Sequence, residues 1–395
     1  MVTIDGISPG TSVDVSTPDE VADVLRTASI NGQNVVPVGG GTALSIGNIS
    51  EQVDVAIGLS SLSGVIDYQA TDLMVSVRAG TTIAALSAEL AAHGQELPLD
   101  IPFPDRATVG GVLATAFAGP RRFGSGTLKD LVVGCSYVRG DGLIAKAGGM
   151  VVKNVSGFEI PRLLHGSWGT LAVMTSANFK VTPIPKGDLT CSVDYSSMPD
   201  AVKAGSRVLM SGVSVVSCEI VQLPQAITLL VRLQGREEGV HEQLSDLRKA
   251  LAGAEPGVDE GVASRRVWQS QVEHLASADG LVQVVIGARP RDLESLLAHL
   301  ETMPAGSVTE LIASPATGTV RVRLDPEQFA SDHFWTTLTP PQGLQGLSMM
   351  VEFAPSARKR GLDVWGPPPA GIEIMRSIKR QFDPDNVLNR GRMMV

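Results

Sequence analysis

Three consecutive glycines, Gly39, Gly40 and Gly41, followed by Thr42, end the apolar and β-branched run Val35 to Val38. Residues without Cβ let a backbone turn tightly and aim several N–H groups at one ligand, and the usual ligand for a bare run of donors is a phosphate. A tight strand connection is the other reading of the same residues. Further glycine-rich turns stand around Gly110, over Ala118 to Gly126, and over Gly166 to Thr170. One such loop suits a mononucleotide. Several converging loops suit an extended ligand, with a diphosphate held by backbone donors and a flat ring lodged in a cleft. The run is not the dinucleotide fingerprint, which wants a third glycine where Leu44 stands and then a long amphipathic helix. Here Gly47 and Asn48 follow, and Val53 to Ile57 reads as a short strand. It is not a P-loop either, because no G-K-[ST] completes it.

Candidates for acid–base chemistry are sparse. His93, His165, His241, His274, His299 and His333 are isolated from one another and read as surface or hydrogen-bonded histidines. Arg321 and Arg323 alternate along a predicted strand and so share a face, which fits either carboxylate binding or a solvent-facing charged strand. Arg121 and Arg122 fit phosphate partners and a solvated or interface pair equally well. Cys135, Cys191 and Cys218 are dispersed with no C-x-x-C spacing, which points to a reducing compartment and to small buried residues. Three thiols do not make the four ligands an iron–sulfur cluster normally takes.

The elements that must position these residues are legible in outline. Thr17-Pro18-Asp19-Glu20 is a capping box with proline at the first helical position. Val21, Val24, Leu25 and Ala28 follow at helical spacing, and Gly32 closes the helix. The strand Asn34 to Val38 then delivers the glycine run. A second helix begins near Thr81 or Thr82 and stops at Gly94. Strands are expected over Val132 to Val138, Leu143 to Ala147 (joined by the R-G-D-G hairpin) and Ala172 to Val181. T-P-I-P-K-G marks a domain boundary. Beyond it, helices are expected over Ala201 to Met210, Gly239 to Leu251 and Gly371 to Gln381, with strands over Leu281 to Ile286 and Thr319 to Leu324.

The 395 residues suffice for two or three domains, and 43% hydrophobic against 18% charged residues describes an ordinary globular chain. A net charge of −9 with no basic stripe argues against nucleic acid. The N-terminus lacks the pattern of a signal peptide and no apolar run reaches membrane-span length, so a cytoplasmic location is expected, with docking to a membrane-associated partner still open.

In order, P-V-G-G-G-T, A-T-V-G-G, A-G-P-R-R-F-G-S-G-T-L-K-D, V-K-N-V-S-G-F-E-I-P-R-L-L-H-G-S-W-G-T-L and F-D-P-D-N-V-L-N-R-G-R-M resemble the vanillyl-alcohol-oxidase-type, or PCMH-type, FAD-binding proteins. Within them the chain is most similar to the FAD-binding subunit of bacterial glycolate oxidase. The resemblance is dense from about Val35 to Pro185, returns at the carboxy terminus and is thin between. It implies an α+β fold: a PCMH-type FAD-binding domain of two α+β subdomains (1–185), an α+β cap domain (186–346), and a C-terminal segment (347–395) returning to the flavin. FAD would lie between the two subdomains. Val38, Gly39, Gly40, Gly41, Thr42, Ala43 and Leu44 would wrap its pyrophosphate. Pro104, Ala107, Thr108, Val109, Gly110 and Gly111, with Ala118, Gly119 and Pro120, would supply a second wall, completed by Phe123, Gly124, Ser125 and Gly126. Trp168, Gly169, Thr170, Leu171 and Met174 would hold the adenosine side or the ring edge, and Arg390 and Arg392 would contact flavin or substrate. Thr42 and Ala43 stand where covalent flavoproteins of the family often carry a histidine, so the FAD is expected to be non-covalent. The family's Tyr-Asp pair appears as Phe158-Glu159.

A 2-hydroxy-acid dehydrogenase needs a cation for the carboxylate and a base for the hydroxyl proton, the flavin taking the hydride. The family's catalytic members use H-x-G-D-G-N-x-H in the later domain. The corresponding stretch here, A-S-P-A-T-G-T-V-R-V-R-L, has no histidine. The resemblance therefore implies a flavoprotein subunit passing electrons within a glycolate-oxidase-like complex. Its partners would be a homologous FAD-containing catalytic subunit and a separate iron–sulfur subunit. A standalone flavin dehydrogenase of a hydroxy acid or sugar-like alcohol is the alternative. A third reading is an assembly subunit with a degenerate flavin site.

Overall fold

Thr17 is extended (φ −131°, ψ 154°) and its hydroxyl accepts from the Glu20 amide, while the Glu20 carboxylate accepts from the Thr17 amide. This reciprocal cap starts helix Pro18–Asn31, and Gly32, at φ +64°, ends it, as the sequence predicts. The computed structural model describes residues 3–150, 158–277, 280–304, 306–328, 334–340, 343–344 and 346–395. The V-K-N-V-S-G part of the quoted motif (152–157) and His333 lie outside the described residues. The chain forms two units: Met1–Ala118 with Gly126–Ile184 and Pro368–Val395, and Gly119–Ser125 with Pro185–Pro367. The sequence reading divides it after 185 and after 346.

In the first unit, β1 (Thr11–Asp14), β2 (Val35–Val38) and β3 (Val55–Gly58) make a parallel sheet in the order β1-β3-β2. β4 (Val65–Gln69), β5 (Met74–Arg78), β7 (Val132–Arg139), β8 (Ile144–Gly148) and β9 (Ala172–Lys180) make an antiparallel sheet in the order β4-β5-β9-β7-β8. β6 (Gln95–Glu96) pairs with β10 (Thr182–Pro183). Val21, Leu25 and Ala28 of the capped helix share a buried cluster with Val35, Ile57, Val138, Val173, Val387 and Leu388. The last two come from the carboxy-terminal motif, which is thus part of this core. Helix Ile83–Ala91 starts at Thr82, whose hydroxyl accepts from the Ala85 amide, and buries Leu86 and Leu90 against β5 and β9 residues Val75, Val77 and Phe179. Burying each such leucine is worth about 1.5–3 kcal/mol.

The second unit is built on one eight-stranded antiparallel sheet: β11 (Gly187–Tyr195), β12 (Val215–Leu223), β13 (Ala226–Gly235), β14 (Gly257–Glu260), β15 (Val282–Gly287), β16 (Val308–Ala313), β17 (Thr319–Leu324) and β18 (Ser348–Phe353), in the order β14-β11-β13-β12-β16-β17-β15-β18. Residues 348–353 therefore pair in this sheet. Period-two alternation gives it two unlike faces. Leu189, Cys191, Ile220, Val231, Val284 and Val322 face a buried apolar cluster with helices Met198–Met210, Glu237–Ala250 and Leu293–Glu301. The opposite face carries Asp188, Ser217, Glu219, Arg232, Gln283, Arg321, Arg323 and Glu352, and most of these are buried.

Buried polar groups must be paired, and at both ends of that face they are. Arg232 donates from Nε and Nη2 to the two Asp188 oxygens (3.0 and 2.7 Å). Ser264 donates to Asp188 (2.6 Å), and Trp268, on the covering helix Val262–Ala276, donates to Thr190 (2.7 Å). Desolvation pushes the Asp188 pKa up, but the Arg232 hydrogen bonds and charge outweigh it and hold the carboxyl below its ordinary value. At the other end Arg323 donates to Gln283 (3.0 Å), Glu310 (2.8 Å) and the carbonyls of His274 and Ser277. Arg323 is neither solvent-facing nor open to a ligand; its donors serve the fold.

Candidate functional site

β2 runs directly into the glycine run, and each glycine has its own geometric reason. A Cβ on Gly39 would stand 2.2 Å from Thr108 Oγ1, and one on Gly40 only 1.5 Å from the Arg106 carbonyl oxygen. Gly41 sits at φ +71°, in the left-handed region. Two of the segments expected to form the site are therefore in contact, and only residues without side chains allow it. Among the described residues, the amides of Gly39, Gly40, Gly41 and Thr42 find no protein acceptor. Next to them lies an exposed guanidinium: Arg106 Nη2 is 3.9 Å from the Cβ position of Gly41.

The second segment is differently equipped. The amides of Val109 and Gly110 donate to the carbonyls of Thr81 (2.9 Å) and Ala79 (2.8 Å), and that of Gly111 to Thr108 Oγ1 (3.3 Å). The carbonyls of Pro104 and Ala107 accept from Ala84 and Ile83. Its glycines thus let helix Val109–Thr115 pack against the end of β5, and what the segment offers a ligand is shape and Arg106.

Between that helix and β2 lies the third segment. Trp168 holds φ +54°, a costly conformation for a bulky residue, with its amide on the Ala114 carbonyl (2.8 Å) and its carbonyl accepting from Asn389 Nδ2 (2.7 Å). A Cβ on Gly169 would stand 2.9 Å from Asn389 Nδ2 and 3.7 Å from Pro37. Thr170 gives its carbonyl to Lys379 Nζ (2.8 Å), while Leu171 and Met174 are buried in the apolar cluster beneath.

The carboxy-terminal motif binds all of this together. Val35 donates to Val387 (2.8 Å) and Asn389 to Val35 (2.9 Å), a parallel bridge on β2 immediately before the glycine run. Lys379 Nζ meets Asp383 at 2.5 Å and the Leu388 carbonyl at 3.0 Å, and Asp383 accepts from the amides of Val387 and Leu388. Arg392 is buried, which pushes its pKa down; it donates to the carbonyls of Leu44 (2.8 Å) and Ile46 and lies 3.5 Å from Asp5. Its guanidinium thus shapes the loop over Leu44 to Ile46. Arg390 donates from its side chain to the carbonyls of Asn386 and Gly32.

Ala118 and Gly126 belong to the first unit, whereas Gly119, Pro120, Phe123, Gly124 and Ser125 belong to the second, with Arg121 and Arg122. Phe158 is 90% exposed and Glu159 pairs with Arg162 at 2.9 Å. The described histidines do not gather: His274 meets Glu310, His299 the Thr337 carbonyl, and His93 the edge of Tyr68. The three cysteines are buried and unbridged; burial pushes the Cys135 and Cys191 thiols up to about 12 and Cys218 higher still. Sequence reasoning missed Arg106, Asn389 and the Lys379–Asp383 pair. The i,i+4 spacing of that pair, and an asparagine two residues before Gly391, were the available signals.

Four unpaired amides in a row, an adjacent guanidinium, and a rigid support behind them fit the diphosphate of FAD. Residues 9–157 match the family model of the FAD binding domain, and residues 367–393 that of the C-terminal domain of FAD linked oxidases. Glycolate oxidase subunit GlcE of Escherichia coli (strain K12) is 40% identical over 134 residues, which are 34% of this chain and 38% of that protein. A mitochondrial D-lactate dehydrogenase (cytochrome) of Arabidopsis thaliana is 24% identical, covering 95% of this chain and 72% of that protein. The solved structure of an alkyldihydroxyacetonephosphate synthase shares the fold, with a TM-score of 0.68 at 15% identity over 96% of this chain and 75% of that one. With a donor loop suited to a diphosphate, two flavoprotein family matches and a shared fold, the chain is an FAD-dependent oxidoreductase carrying a PCMH-type FAD-binding domain.

Proposed function

We propose that this protein is the FAD-bearing subunit of a glycolate-oxidase-like complex, carrying electrons between its flavin and partner subunits during oxidation of a small 2-hydroxy acid. One observation carries the reading: an equipped donor loop coexists with a stretch, 313–324, that has no histidine where the family's catalytic members carry theirs. The stretch has arginines instead, and its Ser314 donates to the Cys218 carbonyl as part of the fold. The 40% identity to a named glycolate oxidase subunit supports the same assignment. Bound FAD supplies a two-electron acceptor. The amides of Gly39 to Thr42 would hold its diphosphate, Arg106 would add positive charge, and the Trp168–Met174 segment would flank it. Asn389 and Arg392 would act by fixing these segments. The partners would be a homologous FAD-containing catalytic subunit, which brings the base, and an iron–sulfur subunit, since the buried, protonated thiols here are unsuited to a cluster. Among the described residues no helix is long and apolar enough to cross a membrane.

The test is purification of the tagged chain with the proteins it assembles with. The chain alone should show flavin absorption bands and no glycolate-dependent dye reduction, and activity should appear only with a co-purifying FAD homologue and iron–sulfur protein. Turnover by the isolated chain at about 1 s⁻¹ or faster, within the ordinary enzyme range, would instead establish a standalone dehydrogenase. Similarity to a D-lactate dehydrogenase across 95% of this chain favours that second reading.

A further inference from the structure

We infer that a cavity on the apolar face of the eight-stranded sheet binds a short alkyl cation, the chemistry shared by an aliphatic amine or guanidine and by the end of a lysine or arginine side chain. All its residues belong to the second unit. The cavity measures about 230 Å³ and opens between the start of helix Met198–Met210, the end of helix Leu293–Glu301, and strands β12 and β16. Its floor and walls include Met198, Leu297, Leu300 and Leu311, all members of the buried apolar cluster, with Met303 beside them. That volume exceeds the roughly 150 Å³ that holds a benzene and stays below the roughly 300–1,000 Å³ of cofactor-sized sites. It suits an alkyl stem a few carbons long, against methionines whose unbranched thioethers adjust to irregular shapes.

Two polar groups break this apolar lining. Cys218, Ile220 and Gln222 share one face of β12, and the first two are buried in the cluster. Gln222 stands third in that row, opposite Leu311, and its amide lines the cavity without a hydrogen bond among the described residues. Glu301 is the second. It is exposed, ends its helix, and among the described residues its carboxylate makes no ion pair or hydrogen bond. A helix C-terminus carries partial negative charge, so a carboxylate there is at the unfavourable end and a cation at the favourable one. His299, in the same turn, gives its Nε2 to the Thr337 carbonyl (2.9 Å) instead. Among the described residues no lysine or arginine lines the cavity. An anion would meet repulsion here, and a neutral alkyl group would leave both polar groups unused. An alkyl cation satisfies the walls with its stem and the acceptors with its head.

The experiment is a methyl NMR titration of the FAD-loaded full chain labelled at methionine Cε, since two of its 12 methionines line the cavity. n-Butylguanidinium is the cation, n-pentanol its neutral counterpart, and Met198→Leu and Met303→Leu identify the two signals. Both signals should shift saturably with butylguanidinium, and pentanol should bind about fivefold more weakly. Glu301→Gln should weaken the cation about threefold at low salt, the scale of a partly exposed ion pair. That difference should shrink as salt is raised, with no fall in melting temperature. No saturable shift of these two signals, pentanol binding as tightly as the cation, or equal cation affinity in wild type and Glu301→Gln would each overturn the site. Nα-acetylarginine amide separates the sources. Saturation of the same signals by it supports a basic side chain of another chain as the occupant; saturation by butylguanidinium alone supports a free alkyl cation. Neither result depends on whether partner subunits co-purify.

Discussion

At the scale of single residues, the glycine run separates two kinds of constraint that a sequence shows as one. Gly40→Ala must displace the Arg106 backbone, so we expect it to cost about 1–3 kcal/mol or more by overpacking and to abolish FAD retention. Gly41→Ala meets nothing closer than 3.7 Å and should cost about 1–2 kcal/mol through its φ alone, leaving FAD bound but weaker. Thermal melts and the flavin-to-protein absorbance ratio distinguish them; equal losses would mean the close approach to Arg106 is not what the glycine serves. Arg106→Gln should raise the FAD dissociation constant about two- to fivefold, with the difference fading at high salt, since an exposed charge is worth little and is screened. A salt-independent effect would point to a packing role. Of this site the sequence displays the donors, because glycine reports directly on absent Cβ atoms and positive φ. It cannot display which amides stay unpaired. Those of Val109 and Gly110 look as available as those of Gly39 and Gly40 until Thr81 and Ala79 are seen to accept from them.

At the scale of elements, helix Ile372–Phe382 and the strand-like segment after it behave as one clamp on β2. Lys379→Ala would leave the buried Asp383 and the carbonyls of Thr170 and Leu388 without their cation. A loss of about 3–5 kcal/mol is expected, read as a lower melting temperature and a reduced flavin ratio. Retention of wild-type stability would mean that backbone pairing alone holds the segment. Local elements were readable where capping and periodicity are local: Thr17 to Gly32 and Thr82 to Gly94 needed no tertiary knowledge. The eight-stranded order was not. β15 lies between β17 and β18, and β11 lies between β13 and β14, so its pairings skip along the chain and leave no short-range signal. The unequal faces of β17 were visible as alternation, yet whether its arginines met solvent, protein or ligand depended on strands far away in sequence.

At the scale of the whole molecule, the second unit should lose stability in acid through its buried Asp188–Arg232 pair. Asp188 has a native pKa below its unfolded value, so its stabilisation is complete above about pH 3.9 and is lost as pH falls through the lower native value. Urea unfolding of wild type and Asp188→Asn should therefore differ most near neutral pH and converge as pH falls through the lowered native value; a constant difference would show that geometry rather than charge matters at this position. The prolines around 183–185 announced a division of the chain, but nothing announced that seven residues of a glycine-rich turn would cluster with the later unit, since that follows from the fit of Gly124 on β12.

The bond from Arg392 to the Leu44 carbonyl joins residues 348 positions apart. At ribosomal speeds of roughly 5–20 residues per second, the brace emerges about 17–70 s after the loop it steadies. Until Arg392 is made the loop lacks this brace, so cofactor capture is expected to wait for the segment around residues 386–392. Nascent chains arrested before residue 386 should retain no FAD in ribosome pelleting assays, whereas released chains should load; arrested chains that hold flavin would show that the loop assembles unaided.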